Sequence, residues 1–190
     1  MIPVRAATCR PHLCNLKYKS LLPACIIFNN YLARNVKYIP QRISLYMPYE
    51  YLEDVAMADV AFHAWSRTLD GLLCAAGDAM LGVMVEDPGQ VEPAMRRKIA
   101  AEGGNEEMLL YSLLEELLYQ KDAGGLLLRL EEGGSIEERG GVLSYEGMAA
   151  GEPIDANRHS IAVDVKAVTM HMFSLYRRED SWHCTVVLDI

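Results

Sequence analysis

Two kinds of hydrophobic pattern follow one another along residues 49–189, and together they predict the secondary structure. Apolar residues three and four positions apart predict amphipathic helices at 68–84 and 105–121, with Thr68 and Asn105 as N-caps. Alternating, β-branched or aromatic runs predict strands at Tyr49–Asp54, Asp59–Trp65, Met95–Glu102, Leu126–Glu131, 141–148, Ile161–Tyr176 and Trp182–Asp189. The order β-β-α-β-α-β-β-β-β indicates an α+β fold, a compact β-sheet sandwich with two helices packed on the sheet.

The second helix has the clearest local pattern. Its leucines form paired rows four residues apart, and Glu115 and Glu116 between them are expected to face solvent. Gly124-Gly125 is expected to stop the helix, and the other glycine pairs also stand beside predicted turns. Turn geometry explains these pairs better than phosphate binding does.

Charge is distributed unevenly along the 190 residues. Residues 1–46 contain seven of the 18 Lys and Arg residues and no acid, so the rest has 11 bases against all 26 acids. An acidic body repels a phosphate backbone, because affinity for nucleic acids rests largely on cations that displace counterions. We therefore expect a hard cation or a basic protein partner rather than strong direct binding of nucleic acid.

The first 46 residues differ from the remainder in composition, and three interpretations compete. Few Ser and Thr and four prolines argue against a transit peptide, and the short apolar run Leu21–Phe28 argues against a secretory signal. The third interpretation is that translation begins at Met47. We expect a non-domain extension at 1–46 and one domain at 47–190.

Cysteine spacing and hydropathy bear on location. Five cysteines without paired spacing favour reduced thiols in a cytoplasmic protein. No apolar run approaches the roughly 18 residues that a membrane span requires, so no membrane association is expected.

Familiar catalytic signatures are absent, but carboxylates gather at the end of the chain. There is no phosphate-binding loop, nucleophile elbow or H-E-x-x-H sequence. Asp189 and the α-carboxylate of Ile190 follow an apolar strand, and adjacent anionic oxygens suit Ca²⁺ or Mg²⁺. Further carboxylates would be needed, and Asp54 and Asp59 are candidates.

Asp164 and Lys166 stand two residues apart in the predicted strand Ile161–Tyr176. Strand parity puts both on one face, about 7 Å apart, where a surface ion pair is the simplest interpretation. His171 would share that face with Lys166 only if a bulge intervened.

A set of short segments resembles the archease family across 47–190. In order along the chain they are Tyr49-Glu50-Tyr51-Leu52, Ala58-Asp59-Val60, His63-Ala64-Trp65, Thr68-Leu69, Glu115-Glu116-Leu117-Leu118-Tyr119, Gly151-Glu152, Val165-Lys166-Ala167-Val168-Thr169 and Leu188-Asp189-Ile190. Each segment alone is weak, whereas their order and spacing together are specific. The resemblance implies a compact α+β fold and an accessory protein without catalysis of its own.

Archeases assist the GTP-dependent RNA ligase that joins tRNA halves, by promoting its guanylylation and multiple turnover. The resemblance implies a metal site at Asp59, Asp189 and the carboxylate of Ile190, with Ca²⁺ or Mg²⁺ as cofactor. It also implies that Lys166 contacts the ligase or its nucleotide.

This chain departs from the family pattern at two positions. Asp54 lies near the usual histidine of His-Thr-Ala-Asp, and Met170 replaces the tyrosine of Thr-Tyr-His. The alternative function is a chaperone-like modulator of a tRNA methyltransferase. An independent metal-dependent hydrolase is a third interpretation, for which no general base or nucleophile can be named.

Overall fold

A computed structural model describes residues 48–52 and 59–190 of the protein. These residues form two α-helices, a short 3₁₀ helix at Pro88–Gln90 and eight strands. The helices are α1 (Leu69–Met84) and α2 (Glu106–Gly124). The strands are β1 (Tyr49–Leu52), β2 (Asp59–Ser66), β3 (Met95–Gly103), β4 (Leu126–Leu130), β5 (Ser135–Arg139), β6 (Val142–Pro153), β7 (Ala167–Arg178) and β8 (Ser181–Asp189). The α+β class is confirmed, with one strand more than the sequence predicts.

The strands form two antiparallel sheets. The first sheet has the order β1-β2-β8-β7, and the second has the order β3-β6-β4, with β5 also paired to β6. Both helices contact strands of both sheets, α1 through β2 and β4 and α2 through β3 and β7. The helices therefore share one hydrophobic core with the two sheets, which includes the six paired leucines of α2.

Both predicted helix starts are confirmed by their caps. The Thr68 hydroxyl accepts a hydrogen bond from the Gly71 N–H at 3.0 Å, and the Asn105 side chain accepts one from Met108 at 2.8 Å. These bonds satisfy N–H groups that have no partner within the helix. At the other end of α2, Gly125 has φ +60°, a left-handed conformation that glycine adopts without a Cβ clash.

The strand prediction is wrong at two places. Residues 135–139 form β5, although only Ile136 in this run is even half-buried, so no apolar alternation marks the strand. The predicted strand Ile161–Tyr176 becomes regular only at Ala167, and before it Ile161 makes only an isolated bridge to Val85. The end of the first predicted strand at Asp54 lies outside the described residues.

Two glycines beside β5 have a packing role. A Cβ on Gly134 would lie 2.3 Å from the Tyr145 ring, and one on Gly147 would lie 2.2 Å from the Tyr145 hydroxyl. Tyr145 is fully buried, so its ring cannot move aside into solvent. The glycines here make room for a tyrosine, in agreement with a structural role.

Candidate metal centre

Asp59 and Asp189 are direct neighbours in the first sheet. They are register partners at one end of the antiparallel pair β2–β8. Side chains opposite each other in such a pair share a face, with Cβ atoms about 4.5–5.5 Å apart. Pairing brings together two carboxylates that are 130 positions apart in sequence.

Neither of these two carboxylates is neutralised by the part of the chain that the structure describes. Among residues 48–52 and 59–190, no side-chain hydrogen bond or ion pair involves Asp59 or Asp189. Both aspartates are half-buried. Like charges directly opposite each other destabilise a strand pair. A bound cation would remove this repulsion, and carboxylate oxygens are what Ca²⁺ and Mg²⁺ prefer.

Asp189 and Ile190 are held by a hydrogen bond and by packing. The Lys166 N–H donates to the Asp189 carbonyl at 2.9 Å, and Ala167 pairs with Asp189 on the side away from Asp59. The side chain of Ile190 packs against the hydrophobic core. The last two residues are thereby fixed to the sheet.

Helix α2 holds the segment that carries Lys166 at two points. The Glu115 carboxylate accepts a hydrogen bond from the Val168 N–H at 3.2 Å. The Lys121 ammonium donates to Asp164 at 2.8 Å and to the Val165 carbonyl at 2.9 Å. Glu115 is therefore half-buried and bonded, and the expectation that it faces solvent is wrong.

Asp164 forms an ion pair with Lys121 of α2, a partner that the simplest interpretation did not include. Burial disfavours the charge on Lys121, but hydrogen bonds from its ammonium to Asp122 and Asp164 outweigh this and raise its pKa above the ordinary value. Lys166 is exposed, one residue before the neighbour of Asp189. It stands where an incoming partner could reach it.

Strand β7 has the bulge that the sequence argument left open. The register shifts between Thr169 and Ser174, and Met172 has φ +55°, which is uncommon for a residue with a side chain. Met170 is 51% exposed, and Met172 is 59% exposed. An irregular, apolar edge thus lies two residues beyond the segment held by α2.

Side chains alone do not complete a metal cage here. Among residues 48–52 and 59–190, no group of three or more His, Cys, Asp and Glu side chains is arranged to hold a metal. Asp59 and Asp189 would need a further oxygen donor, which the α-carboxylate of Ile190 supplies in the sequence prediction. Asp54, the other candidate, lies outside the described residues.

Sequence reasoning missed a polar pair on the same face of the first sheet. His63 of β2 and His183 of β8 lie diagonally across the strand pair, with Nε2 of His63 3.2 Å from Nδ1 of His183. Trp65 meets His63 edge-on, and Tyr176 stacks on His183. The histidines are 120 positions apart, so only the strand register could have revealed the pair.

Comparison with known proteins agrees with this fold. The profile of the Archease protein family (MTH1598/TM1083) matches residues 49–190. The fold is similar to that of a solved structure, Methanobacterium thermoautotrophicum protein 1598. Its solution structure has a TM-score of 0.66 and 32% identity, covering 76% of this chain and 99% of that one.

Curated relatives carry the family's name. Protein archease of Methanopyrus kandleri is 35% identical over 76% of this chain and 100% of its own length. Protein archease of Methanosarcina acetivorans is 34% identical over 75% of this chain and 95% of its own. The chain belongs to the archease family.

No helix in the described residues is long and apolar enough to cross a membrane.

Proposed function

We propose that this archease is a metal-binding accessory protein that activates the GTP-dependent tRNA-splicing RNA ligase, without catalysis of its own. It promotes guanylylation of the ligase and so sustains multiple turnover. Asp59, Asp189 and the α-carboxylate of Ile190 hold a divalent cation, Ca²⁺ or Mg²⁺. The observation that supports this most strongly is the cross-strand pairing of two aspartates that no described residue neutralises.

The chemistry of the donors fits a hard cation. Both side chains are carboxylates, and such oxygens bind Ca²⁺ at about 2.3–2.6 Å. Opposed side chains of a strand pair are close enough to share an ion of that reach. The cation would supply positive charge to an otherwise acidic surface, at which a partner's phosphate or carboxylate could be bound.

Lys166 provides the contact with the ligase or its nucleotide in this proposal. It is exposed, and its backbone N–H donates to the Asp189 carbonyl, so the proposed metal site and the lysine lie at the same end of the first sheet. Glu115 and Lys121 fix the segment on both sides of Lys166. The backbone that carries the Lys166 side chain is thereby held in place.

Guanylate transfer to the ligase tests the proposal. Wild-type protein should stimulate the transfer, and Asp59→Ala or Asp189→Ala should lower this stimulation at least about tenfold. Asp180→Ala, which changes an exposed acid in the β7–β8 turn, is the matched control and should stimulate as the wild type does. Absence of stimulation by the wild type, or full stimulation by both site variants, would contradict the proposal.

A fusion experiment isolates the terminal carboxylate. A short tag attached directly after Ile190 converts that carboxylate to an amide and should weaken Ca²⁺ binding, whereas the same tag at the N-terminus should not. Equal affinities of the two fusions would remove Ile190 from the ligand set while leaving both aspartates in it.

Recovery of partners from cell extract separates the two accessory roles. Tagged at its N-terminus, the wild type should retain the RNA ligase, and Lys166→Glu should retain less of it. Recovery of a tRNA methyltransferase in place of the ligase would instead favour the chaperone-like alternative.

A further inference from the structure

The histidine pair on the outer face of the first sheet has the nitrogen spacing of a chelate. The two facing nitrogens, Nε2 of His63 and Nδ1 of His183, are 3.2 Å apart. A metal about 2.05 Å from both nitrogens would subtend an angle of about 100° between them, between the octahedral and tetrahedral values. One ion could therefore bind both rings with little movement of either strand.

The surroundings of His63 favour the required tautomer. Its other nitrogen, Nδ1, lies 3.9 Å from a carboxylate oxygen of Glu50 on β1. A carboxylate on that side favours the proton on Nδ1, which leaves the lone pair of Nε2 directed at His183. At 3.9 Å this is an electrostatic contact, and the hydrogen bond usual behind a metal-ligating histidine would form only when the exposed Glu50 side chain moves closer.

Neighbouring groups also keep His63 uncharged. Burial lowers its pKa below the ordinary value, His183 adds to the effect, and Glu50 opposes it. Tyr176 of β7 and Trp65 of β2 flank the pair with aromatic rings rather than with cations. A neutral imidazole is the form that binds a metal.

We propose that His63 and His183 form a second metal site, which takes a borderline transition-metal ion such as Zn²⁺, Ni²⁺ or Cu²⁺. Imidazole nitrogens suit these ions, whereas carboxylates suit Ca²⁺ and Mg²⁺. The two protein ligands leave further coordination positions for water or for a side chain of a partner. This site is separate from the aspartate pair, from which it is four residues away along β2 and six along β8.

Titration of the untagged full chain with Zn²⁺ tests this second site, in the presence of excess Ca²⁺ to occupy the aspartates. Nitrogen-15 NMR of the histidine rings should show shifts of His63 Nε2 and His183 Nδ1 on addition of one equivalent. His63→Ala and His183→Ala should each weaken that binding at least about tenfold. His171→Ala, in the exposed bulge, is the matched control and should bind as the wild type does.

Two further variants separate loss of the histidine site from loss of the aspartate site and from unfolding. Asp189→Asn should retain the Zn²⁺-dependent ring shifts, so that loss of the aspartate site leaves the histidine site intact. His63→Gln, which keeps a polar side chain, should unfold thermally like the wild type yet fail to bind at this site. Unchanged ring shifts on titration, or wild-type affinity in both alanine variants, would show that the pair is only a hydrogen bond between the two rings.

Discussion

Two polar clusters in this molecule place carboxylates in opposite situations. At the end of β6, Glu152 is 7% exposed and accepts hydrogen bonds from the Glu92 N–H at 2.7 Å, from His159 at 3.1 Å and from Arg158. At the start of β2, Asp59 faces a second carboxylate, Asp189. The Glu152 carboxylate has hydrogen-bond partners within the protein, whereas no side chain among residues 48–52 and 59–190 neutralises the aspartate pair.

The Glu152 cluster is a structural device. The backbone N–H of Asp155 donates to Nδ1 of His159, so that nitrogen carries no proton and Nε2 is the donor to Glu152. These bonds fix the loop that follows β6. The backbone bond from Glu92, assisted by His159 and Arg158, keeps the pKa of Glu152 below its ordinary value.

Satisfied hydrogen bonds distinguish a structural acid from a candidate ligand. Both Glu152 and Asp189 belong to segments that resemble the archease family, so resemblance does not separate their roles. Partners do. A change at Glu152 should act on stability, and a change at the aspartate pair should act on metal binding.

The largest effect on folding is expected for Glu152→Ala. The change leaves the His159 ring, which is 4% exposed, and the Glu92 N–H without their acceptor. A buried donor without an acceptor lowers the free energy of unfolding. Urea unfolding should show a greater loss of stability than for any other variant considered below, with Ca²⁺ affinity of the folded protein unchanged. Wild-type stability of Glu152→Ala would show that the cluster is not structural.

Acid should reveal the same cluster. Because the pKa of Glu152 is lower when folded, its contribution to stability is present above the ordinary value of 4.5 and is lost as pH falls through the lower, folded value. Unfolding free energy measured from pH 6 to pH 3 should fall less steeply in Glu152→Gln than in the wild type. Parallel curves would contradict this account.

Glu115→Ala should have an intermediate effect, which combines a loss of stability with a loss of ligase stimulation. Loss of the bond to the Val168 N–H should cost about 0.5–1.5 kcal/mol of unfolding free energy and loosen the segment beside Asp189. Stimulation of the ligase should fall with it. Glu115→Gln retains an acceptor oxygen and should restore both quantities; failure of this rescue would argue against a positioning role.

The smallest effect, and the one of opposite sign, is expected for Asp59→Asn without divalent cations. Removal of one of two facing negative charges should stabilise the protein by about 0.2–1 kcal/mol. Thermal unfolding in EDTA measures this, with Asp180→Asn as control. Destabilisation by Asp59→Asn would mean that the carboxylate already has a partner.

The sequence predicted the elements whose signals are local. Thr68 and Asn105 cap the helices as expected, because capping depends on residues within one turn. Strand β5 was missed since its exposed side chains do not alternate, and the start of β7 was misplaced because α2, distant in sequence, bonds the segment before it. Long-range bonds of this kind leave no local pattern.

The candidate site was predicted in composition but not in arrangement. Asp59 and Asp189 were named before any geometry, from resemblance and from carboxylate chemistry. Their direct opposition depends on the register of β2 against β8, as does the diagonal contact of His63 with His183. Register is set by the whole sheet and cannot be read from either strand alone.

Calorimetric titration with Ca²⁺ tests the central claim most directly, because it measures the cation itself. The wild type should bind one ion, and Asp59→Asn combined with Asp189→Asn should abolish that binding while the protein remains folded. Glu152→Gln should bind as the wild type does. Undiminished Ca²⁺ binding by the double variant would contradict the assignment of the aspartate pair as a metal site.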